Sequence, residues 1–424
     1  MLATRHDPPF FRRPLILLLT LLILAGTIAA ADKKGPSDLV LIGAKVYPSP
    51  SAAPIENAVI VIRDGKIVDI GPDGRVKAPK GVPFIDCGGK VITAGFWNSH
   101  VHFTEDVWNG AASAPVAKLE PHMQTMLTSW GFTSVFDIGS DPRNTVPLRE
   151  RVNSGEILGP KIYTTAGNIF PKNGIPVYVP PDIAKQLTQL EAATPADAER
   201  LARQSIGMGA DGIKVFTGAI MGHGKITPMP ANVARAAVDV AHASGKPVFA
   251  HPSNHEGVDN ALAAGVDVLA HTIPIEDGYT KDELATMKAQ HTALIPTLTL
   301  WEVELEKDHT PAEEEQKFVQ KGVNELKTFF DQGNTVLFGT DVGYTQHYDT
   351  TEEYVLMAES GMKWQDILAS LTTNPATFFK AGNGELVKGS DADLVVLSAD
   401  PATDVRNFAK VDHTVRAGKV IYKK

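Results

Sequence analysis

The sequence predicts a parallel (β/α)8 barrel, the TIM-barrel fold, joined to a small β-sandwich domain that both termini form. Two patterns support this α/β prediction: apolar strand-like runs alternate with helical patterns in the middle of the chain, and short β segments occur at both ends. The length agrees, because 424 residues suit one barrel of roughly 250 residues and a smaller unit. The composition, 43% hydrophobic and 21% charged, is that of a packed globular chain rather than a disordered one.

The chain begins with the pattern of a secretory signal peptide. Three arginines precede an uncharged, leucine-rich stretch at residues 14–31, which ends in Ala29-Ala30-Ala31. A positive n-region, an apolar h-region and small residues at the cleavage site define such a peptide. We therefore assign residues 1–31 to it and expect an exported protein, periplasmic or secreted. An uncleaved membrane anchor is the alternative, because the apolar run approaches the length that spans a bilayer.

Charge and cysteine content narrow the classes of function. Loss of residues 1–31 removes three arginines and one aspartate, a net +2, and changes the formal charge from −9 to −11. Such an acidic chain is a poor candidate for binding nucleic acid, and after cleavage no long apolar run remains for a membrane. Cys87 is the single cysteine, so stability must come from the core rather than from a disulfide. The acidic surface permits a homo-oligomer without requiring one.

Both ends of the chain carry short β segments, at residues 38–46, 58–62, 66–70, 392–398, 413–416 and 419–422. Asp64-Gly65 and Ala417-Gly418 mark a hairpin turn in each group. Pairing of the two ends would build one composite β domain from residues 37–92 and 384–424, which leaves residues 93–383 for the barrel.

Apolar strand-like runs recur through the middle of the chain, at residues 91–94, 134–138, 161–165, 212–216, 247–250, 268–270, 293–298 and 335–338. Helical patterns lie between most of them, at residues 196–208, 231–244, 281–290 and 314–332, with a last block at 350–379. Buried strands that are mostly followed by a helix predict a parallel barrel. A doubly wound open sheet is the alternative, but no glycine-rich phosphate loop follows the first strand.

The first barrel strand runs into the motif Asn98-Ser99-His100-Val101-His102. Barrel enzymes carry their chemistry at the carboxyl ends of the strands, so functional residues are expected here. Residues two apart on a strand point to the same side, so His100 and His102 present two imidazoles to one point. Neutral imidazole is a common metal ligand, although an H-x-H pattern alone is a weak signal.

Polar residues at other predicted strands point to the same chemistry. They are Lys214 within strand four, His251 at the end of strand five, His271 at the end of strand six and Asp341 at the end of strand eight. A buried lysine or aspartate without a partner is costly, and a cation shared among these side chains would remove that cost. The strand ends together therefore predict a metal site.

The motif Ala94-Gly95-Phe96-Trp97 before the two histidines, the ligand set and the closing segment Thr373-Asn374-Pro375-Ala376 resemble the amidohydrolase superfamily of metal-dependent hydrolases. The resemblance covers residues 38–424 and is greatest to the imidazolonepropionase-like and prolidase-like branch, which includes dipeptidases with a carboxylated lysine. The family often has Asp two residues before the first histidine, where this chain has Asn98. We expect Asn98 to orient its neighbours through its amide.

The resemblance implies a cofactor of two divalent metal ions. It assigns His100, His102 and Asp341 to the first ion. It assigns His251 and His271 to the second, and it assigns Lys214 to a CO2-derived carbamate that bridges both. The imidazole-rich set suits zinc, and the oxygen ligands leave manganese or iron open. Without the carbamate, a single-metal site on the first three residues remains the alternative.

The implied reaction is hydrolysis of a C–N bond by metal-activated hydroxide, with Asp341 as the catalytic residue that moves the proton. Deamination is disfavoured, because the deaminases of the family carry Glu three residues after the strand-five histidine and this chain has Asn254. Phosphotriester or lactone hydrolysis at the same site stays open. From a different class, a solute-binding barrel without metal is the alternative, although it predicts missing ligands and all six positions are filled.

The substrate is expected to be a small molecule or a dipeptide. Specificity in barrels resides in the loops after the strands, here residues 168–181 and 221–230. His223 in the second loop and Tyr344 after Asp341 are the candidate substrate contacts.

Overall fold

The described chain begins with strands that follow the apolar pattern of the sequence. The computed structural model covers residues 38–222 and 224–424, so the predicted signal peptide lies outside the described residues. The first strands are β1 Leu39–Val46, β2 Ile55–Arg63, β3 Lys66–Pro72, β4 Phe84–Asp86 and β5 Val91–Ala94. β2 and β3 form the predicted hairpin, whose turn residues Asp64 and Gly65 have φ of 50° and 72°, as a type I′ turn requires.

Strands and helices then alternate through the middle of the chain. The strands are β6 Phe96–Val101, β7 Phe132–Asp137, β8 Lys161–Thr164, β9 Phe170–Pro171, β10 Glu191–Ala192, β11 Ile213–Phe216, β12 Gly218–Ile220, β13 Ile226–Pro228, β14 Val248–His251, β15 Val268–Ala270 and β16 Ala293–Ile295. The α-helices are α1 Val116–Met126, α2 Pro142–Asn153, α3 Pro181–Leu187, α4 Pro195–Gly207, α5 Ala231–Ala243, α6 His255–Ala264, α7 Lys281–Gln290, α8 Leu298–Lys307, α9 Ala312–Asp331, α10 Thr351–Glu359, α11 Trp364–Leu371 and α12 Thr373–Phe378. Among the residues that the structure describes, no helix is both long enough and apolar enough to cross a membrane.

Two parallel sheets make up most of the barrel, in the orders β6-β7-β8 and β11-β14-β15-β16. Ile169, after β8, joins the two sheets, because its backbone N–H donates to the carbonyl of Lys214 on β11 at 2.9 Å. An eighth segment, residues 335–342, lies between β16 and β6 and forms parallel bridges to both through Val336 and Val342. The middle of the chain is therefore the predicted (β/α)8 barrel.

Three of the predicted barrel strands differ from the observed ones. Residues 91–94 are β5, which pairs with the terminal strands, and the first barrel strand is β6. Apolar periodicity cannot tell which buried sheet a short run joins. The predicted strand 293–298 ends at Ile295, because Pro296 has no N–H for a ladder and Thr297 turns into α8. The eighth segment has isolated bridges at Val336 and Val342 in place of the predicted continuous strand 335–338.

The last strands, β17 Leu394–Leu397, β18 Val411–Arg416 and β19 Lys419–Lys423, return to the first ones. Together they form one sheet in the order β19-β18-β17-β5-β1-β2-β3, with β4 beside β1. The sheet folds back on itself, because Lys66 on β3 bridges Asp391 just before β17. Its buried aliphatic core includes Leu41, Ile60 and Val396. Both ends of the described part of the chain thus share one β domain, and the exact boundaries of residues 37–92, 384–424 and 93–383 stay a prediction.

The interior of the barrel is packed with side chains rather than open. One hydrophobic cluster draws on barrel strands and the eighth segment, with Phe136, Ile138, Phe249, Val268, Ala270, Ala293, Ile295 and Leu337. A packed interior leaves the carboxyl ends of the strands as the place for polar chemistry.

Candidate metal centre

His100, His102 and Asp341 bring three ligand atoms to one point. The two histidines stand two residues apart at the end of β6, so they share the face that Asp341 approaches from the eighth segment. Their Nε2 atoms are 3.2 Å apart, and Oδ1 of Asp341 lies 3.1 Å from the first and 2.9 Å from the second. Ligand atoms of the three residues all lie within 4.8 Å of one another. His100 and Asp341 are buried, at 1% and 4% exposure.

Backbone contacts hold Asp341 against the first barrel strand. Its N–H donates to the carbonyl of His100 at 2.9 Å from a left-handed conformation. Asn98 couples the same segments, because its amide donates to the hydroxyl of Thr340 at 2.7 Å and its oxygen accepts from the N–H of His100 at 3.2 Å. These two hydrogen bonds show that Asn98 orients both segments through its amide. The positive φ of Asp341 costs energy at a non-glycine residue, and such backbone strain is concentrated at functional sites.

His251 and His271 lie next to these three residues. The ring centroid of His271 is 4.6 Å from that of His100 and 4.7 Å from that of His251. Its Nε2 is 4.0 Å from Oδ2 of Asp341, and its backbone is also left-handed, with a φ of 77°. Phe216 stacks on His251 at 4.7 Å with an angle of 19° between the rings, which restricts rotation of the imidazole. The second pair of imidazoles thus adjoins the first group.

Lys214 lies on β11, two residues before Phe216 and hence on the same side of the strand. It is 2% exposed, and its Nζ lies 5.7 Å from the centroid of Phe216. No described residue forms an ion pair with its Nζ. Burial lowers the pKa of Lys214 to about 7, against the opposing charge of Asp341. A neutral amine, the form that reacts with CO2, is therefore available near neutral pH.

The protonation states at this site are those that a cation requires. Burial lowers the pKa of His100 to about 4 and holds the pKa of His251 and of His271 well below the ordinary value. Burial alone would raise the pKa of Asp341, but its contacts with His100 and His102 outweigh burial and hold that pKa well below the ordinary value. At neutral pH His100, His251 and His271 are therefore neutral imidazoles beside an ionised Asp341 carboxylate.

The donor atoms fit a divalent cation. Oδ1 of Asp341 is buried and has no hydrogen-bond partner, although two imidazole nitrogens face it. Tetrahedral bonds of about 2.0–2.1 Å place ligand atoms about 3.3 Å apart. The observed separations of 2.9, 3.1 and 3.2 Å are close to that value. Imidazole with carboxylate is a set that zinc accepts readily, and manganese or iron accept it as well.

Asp137 and Thr297 lie beside the candidate ligands, and neither is predicted from the sequence. Oδ1 of Asp137, at the end of β7, is 4.0 Å from Nδ1 of His102. Oγ1 of Thr297, after β16, is 2.7 Å from Nδ1 of His271. Asp137 lies at the end of the second barrel strand, and Thr297 follows the seventh barrel strand. No metal ligand is predicted at either of these strand ends. A search for a polar residue at every strand end would have found both.

An aromatic pair lies in the loops beyond the candidate ligands. Tyr344, a predicted substrate contact, packs edge-on against Tyr178 with ring centroids 5.2 Å apart. Nζ of Lys307 on α8 lies 5.0 Å from the centroid of Tyr344. Burial raises the pKa of both tyrosines above the ordinary value, so their hydroxyls stay neutral donors. Tyr178 was missed from the sequence, although it lies in a predicted specificity loop, and His223 lies outside the described residues.

Comparison with known proteins shows similarity over most of the chain. The family model described as "Amidohydrolase family" matches residues 91–421. An ochratoxinase from Aspergillus niger is 23% identical over 461 residues, which cover 96% of this chain and 89% of that protein. An uncharacterized protein of Mycobacterium tuberculosis is 28% identical over 181 residues, 40% of this chain and 46% of that relative. The match thus spans about half the length of the mycobacterial relative.

Solved structures share the fold. The crystal structure of a Xaa-Pro dipeptidase with methionine in its active site superposes with a TM-score of 0.76. The superposition covers 92% of this chain and 100% of that chain at 23% sequence identity. At this identity the likeness concerns the fold.

Proposed function

This chain belongs to the amidohydrolase family, and we propose that it is a metal-dependent hydrolase that cleaves the C–N bond of an amide, a cyclic amide or a dipeptide. The observation that carries the proposal is the convergence of His100, His102 and Asp341 within 4.8 Å. A similar protein named ochratoxinase and a dipeptidase of the same fold support a small amide or dipeptide as the substrate class.

The proposed cofactor is a pair of divalent cations, with zinc as the expected metal. His100, His102 and Asp341 would hold one cation, and His251 with His271 would hold the other. When bound, such cations supply an activated water and polarise the scissile carbonyl. The chain supplies what these cations need: neutral imidazoles, an ionised carboxylate and a buried position that excludes competing water.

Lys214 is proposed to carry a carbamate. Its burial without an ion pair favours a neutral amine, and a carbamate would replace a costly buried ammonium by an anionic bridge between cations. The bond that forms joins Nζ to the carbon of CO2, and the proton lost from nitrogen passes to solvent.

Asp341 is the proposed proton carrier. Its carboxylate is ionised at neutral pH and so has room for a proton, which it would accept from the attacking water once a bound cation had made that water more acidic. It then delivers that proton to the leaving nitrogen, because an amide nitrogen leaves poorly as an anion. The neutral hydroxyl of Tyr178 would donate a hydrogen bond to the substrate from the outer loops. Tyr344, whose hydroxyl also contacts Glu304, would pack against the substrate beside it.

The position that marks deaminases has a structural role in this chain. Asn254 is the N-cap of α6, and its side-chain oxygen accepts from the N–H of Gly257 at 2.9 Å. No carboxylate therefore stands at that position to protonate a ring nitrogen, which favours amide hydrolysis over deamination.

Metal analysis and a substrate panel test the proposed function. We expect two divalent ions per chain, hydrolysis of members of a panel of dipeptides and N-acyl amino acids, loss of activity with chelator and recovery with zinc. Phosphotriesters and lactones belong in the same panel. If the protein hydrolysed only these compounds, the proposed cleavage of a C–N bond would be wrong and the bond cleaved would be a phosphoester or a lactone ester. A protein with near-zero metal that binds a panel compound without cleaving it would be a solute-binding barrel and would overturn the proposal.

We also propose that residues 1–31 direct export and are removed, so that the mature protein begins at Asp32 in the periplasm or the medium. Mass spectrometry of the protein from the fractions outside the cytoplasm checks the new N-terminus. A membrane-bound protein that keeps residues 1–31 would instead be anchored. The sequence permits a homo-oligomer without requiring one, and light scattering of the mature protein distinguishes a monomer from an oligomer.

A further inference from the structure

We propose that Thr297 is a positioning residue that selects the tautomer of His271 and aims its Nε2 at the second proposed metal ion. The inference rests on the proposed function, and the hydrogen-bond network behind His271 carries it. Oγ1 of Thr297 and Nδ1 of His271 are 2.7 Å apart, and the two residues are 0% and 3% exposed. At this burial, water does not compete for the contact.

The direction of this hydrogen bond follows from a second contact. Oγ1 of Thr297 also lies 2.8 Å from the carbonyl oxygen of Pro296, which can only accept. The hydroxyl has one proton, so it donates to that carbonyl and accepts from Nδ1–H of His271. A neutral imidazole with its proton on Nδ1 has a lone pair on Nε2. That atom is 4.0 Å from Oδ2 of Asp341, so it lies on the side of the ring that faces the candidate centre.

The backbone of Thr297 is strained where the contact is made. Its φ of 46° and ψ of 53° are left-handed, a conformation that a β-branched residue rarely adopts. Glycine would remove the strain but would also remove the hydroxyl. If the hydroxyl is needed for function, a threonine is expected at this position in spite of the backbone strain.

Glu353 on α10 fixes the turn that presents Thr297. Its carboxylate accepts from the backbone N–H of Leu298 at 3.0 Å, from that of Thr299 at 2.8 Å and from the hydroxyl of Thr299 at 2.7 Å. Leu298 is the first residue of α8, where N–H groups have no partner inside the helix. Glu353 is 1% exposed, so this cap is shielded from solvent. The start of α8, and with it Thr297 at the N-cap, is therefore held in one place.

Three substitutions at one position separate the hydroxyl from shape and strain. Thr297→Ser keeps the hydroxyl, Thr297→Val keeps the shape without it, and Thr297→Gly lacks the hydroxyl and relieves the left-handed backbone. Competition with a chromophoric chelator measures the affinity of the full-length protein for each zinc ion. The absorption spectrum after Co²⁺ loading reports the ligand set independently of activity.

We expect Thr297→Ser to bind both ions with wild-type affinity. Thr297→Val and Thr297→Gly should bind the second ion about 10–100-fold more weakly and show an altered Co²⁺ spectrum. Thermal unfolding and far-UV circular dichroism of each metal-free variant are measured as well, because Thr297→Gly also loses a buried side chain. A native spectrum shows that weaker binding does not come from misfolding.

Wild-type affinity for both ions in Thr297→Val or Thr297→Gly would overturn the inference. Weak binding of the second ion by Thr297→Ser would also overturn the inference, because this variant keeps the hydroxyl and should therefore keep the wild-type affinity. A wild-type protein that binds no metal would overturn both this inference and the proposed function, which distinguishes that failure from the first two.

Discussion

Oδ1 of Asp341 lies 2.9 Å from Nε2 of His102, although one residue belongs to the last segment of the barrel and the other follows the first strand. The contact exists because the eighth segment runs beside β6, with the N–H of His102 donating to the carbonyl of Val342 at 2.8 Å. The candidate metal centre thus depends on this junction. Substitutions in the ligands or in the junction should therefore weaken metal binding while the rest of the fold stays intact.

Removal of one imidazole should abolish activity and leave the fold intact. In His100→Ala we expect kcat/KM to fall on the order of a thousandfold or more, because a bound metal contributes several kcal/mol to the transition state. Metal content, kcat/KM and far-UV circular dichroism check this. His291→Asn is the control, because His291 is exposed and its left-handed conformation suits asparagine. Activity that survives in His100→Ala would refute the site assignment.

A methyl group at Gly343 should disrupt the junction between the two segments. Gly343 has a φ of 95°, and a Cβ there would lie 1.8 Å from the carbonyl oxygen of His102. We expect Gly343→Ala to bind metal weakly, because His102 must move to make room. Gly361→Ala is the matched control, since its φ is 97° but its nearest contact is the flexible Nζ of Lys327 at 3.8 Å.

Both glycine variants carry the strain of a positive φ, about 1–2 kcal/mol, so both should melt at a lower temperature. Only Gly343→Ala should also lose metal, as measured by elemental analysis after dialysis. Equal metal content in the two proteins would show that the junction tolerates the methyl group and that the predicted displacement is wrong.

Activity should depend on bicarbonate through Lys214. Metal-free protein reloaded with zinc in CO2-depleted buffer should recover less activity than protein reloaded with bicarbonate. The difference should be larger at pH 8 than at pH 6, because an amine with a pKa of about 7 is mostly neutral at pH 8 and mostly protonated at pH 6. Lys214→Met should respond to neither condition, while a variant of the exposed Lys185, Lys185→Met, should behave as the wild type. Equal recovery with and without bicarbonate would contradict the carbamate.

Stability should fall with rising pH because of Glu325, which is 1% exposed on α9. Burial raises its pKa from 4.5 to about 8, although one oxygen accepts from the N–H of Ile273 at 2.6 Å. Between these pH values the folded chain keeps a proton that the unfolded chain has released, so the free energy of unfolding decreases as the pH rises.

Glu325→Gln removes this titration and can still accept from Ile273. We therefore expect its stability relative to the wild type to increase from pH 5 to pH 8.5, by a few kcal/mol at most. Urea unfolding at both pH values measures the change, and Glu314→Gln, an exposed position on the same helix, is the control. A stability difference that does not vary with pH would show that Glu325 is not protonated in the folded state.

The sequence predicts the barrel from patterns that are local. Alternating strands and helices, the turns at Asp64-Gly65 and Ala417-Gly418, and histidines two apart on one strand all depend on neighbours within a few residues. The structure confirms both hairpins and the barrel, because local patterns of this kind do not depend on contacts between distant residues. The roles of the six candidate ligands stay a prediction, although the structure places the three donors of the first ion together.

Residues 91–94 illustrate where local patterns fail. The run is apolar and strand-forming in either sheet, and its place in the β domain depends on β1 and β17, which come from opposite ends of the chain. Asp137 and Thr297 were missed for a related reason, because their significance lies in contacts with His102 and His271 rather than in their own surroundings in the sequence.

The amino-acid sequence by itself determined the alternation of strands and helices, because this alternation follows from short-range periodicity. Once the strands were located, the sequence also showed which polar side chains lie at their ends. Only the tertiary structure decided which sheet receives Val91–Ala94, which oxygen lies between two imidazoles and which hydroxyl accepts from His271. Those features are distances between residues far apart in the chain, and they arise only when the eighth segment meets the first strand.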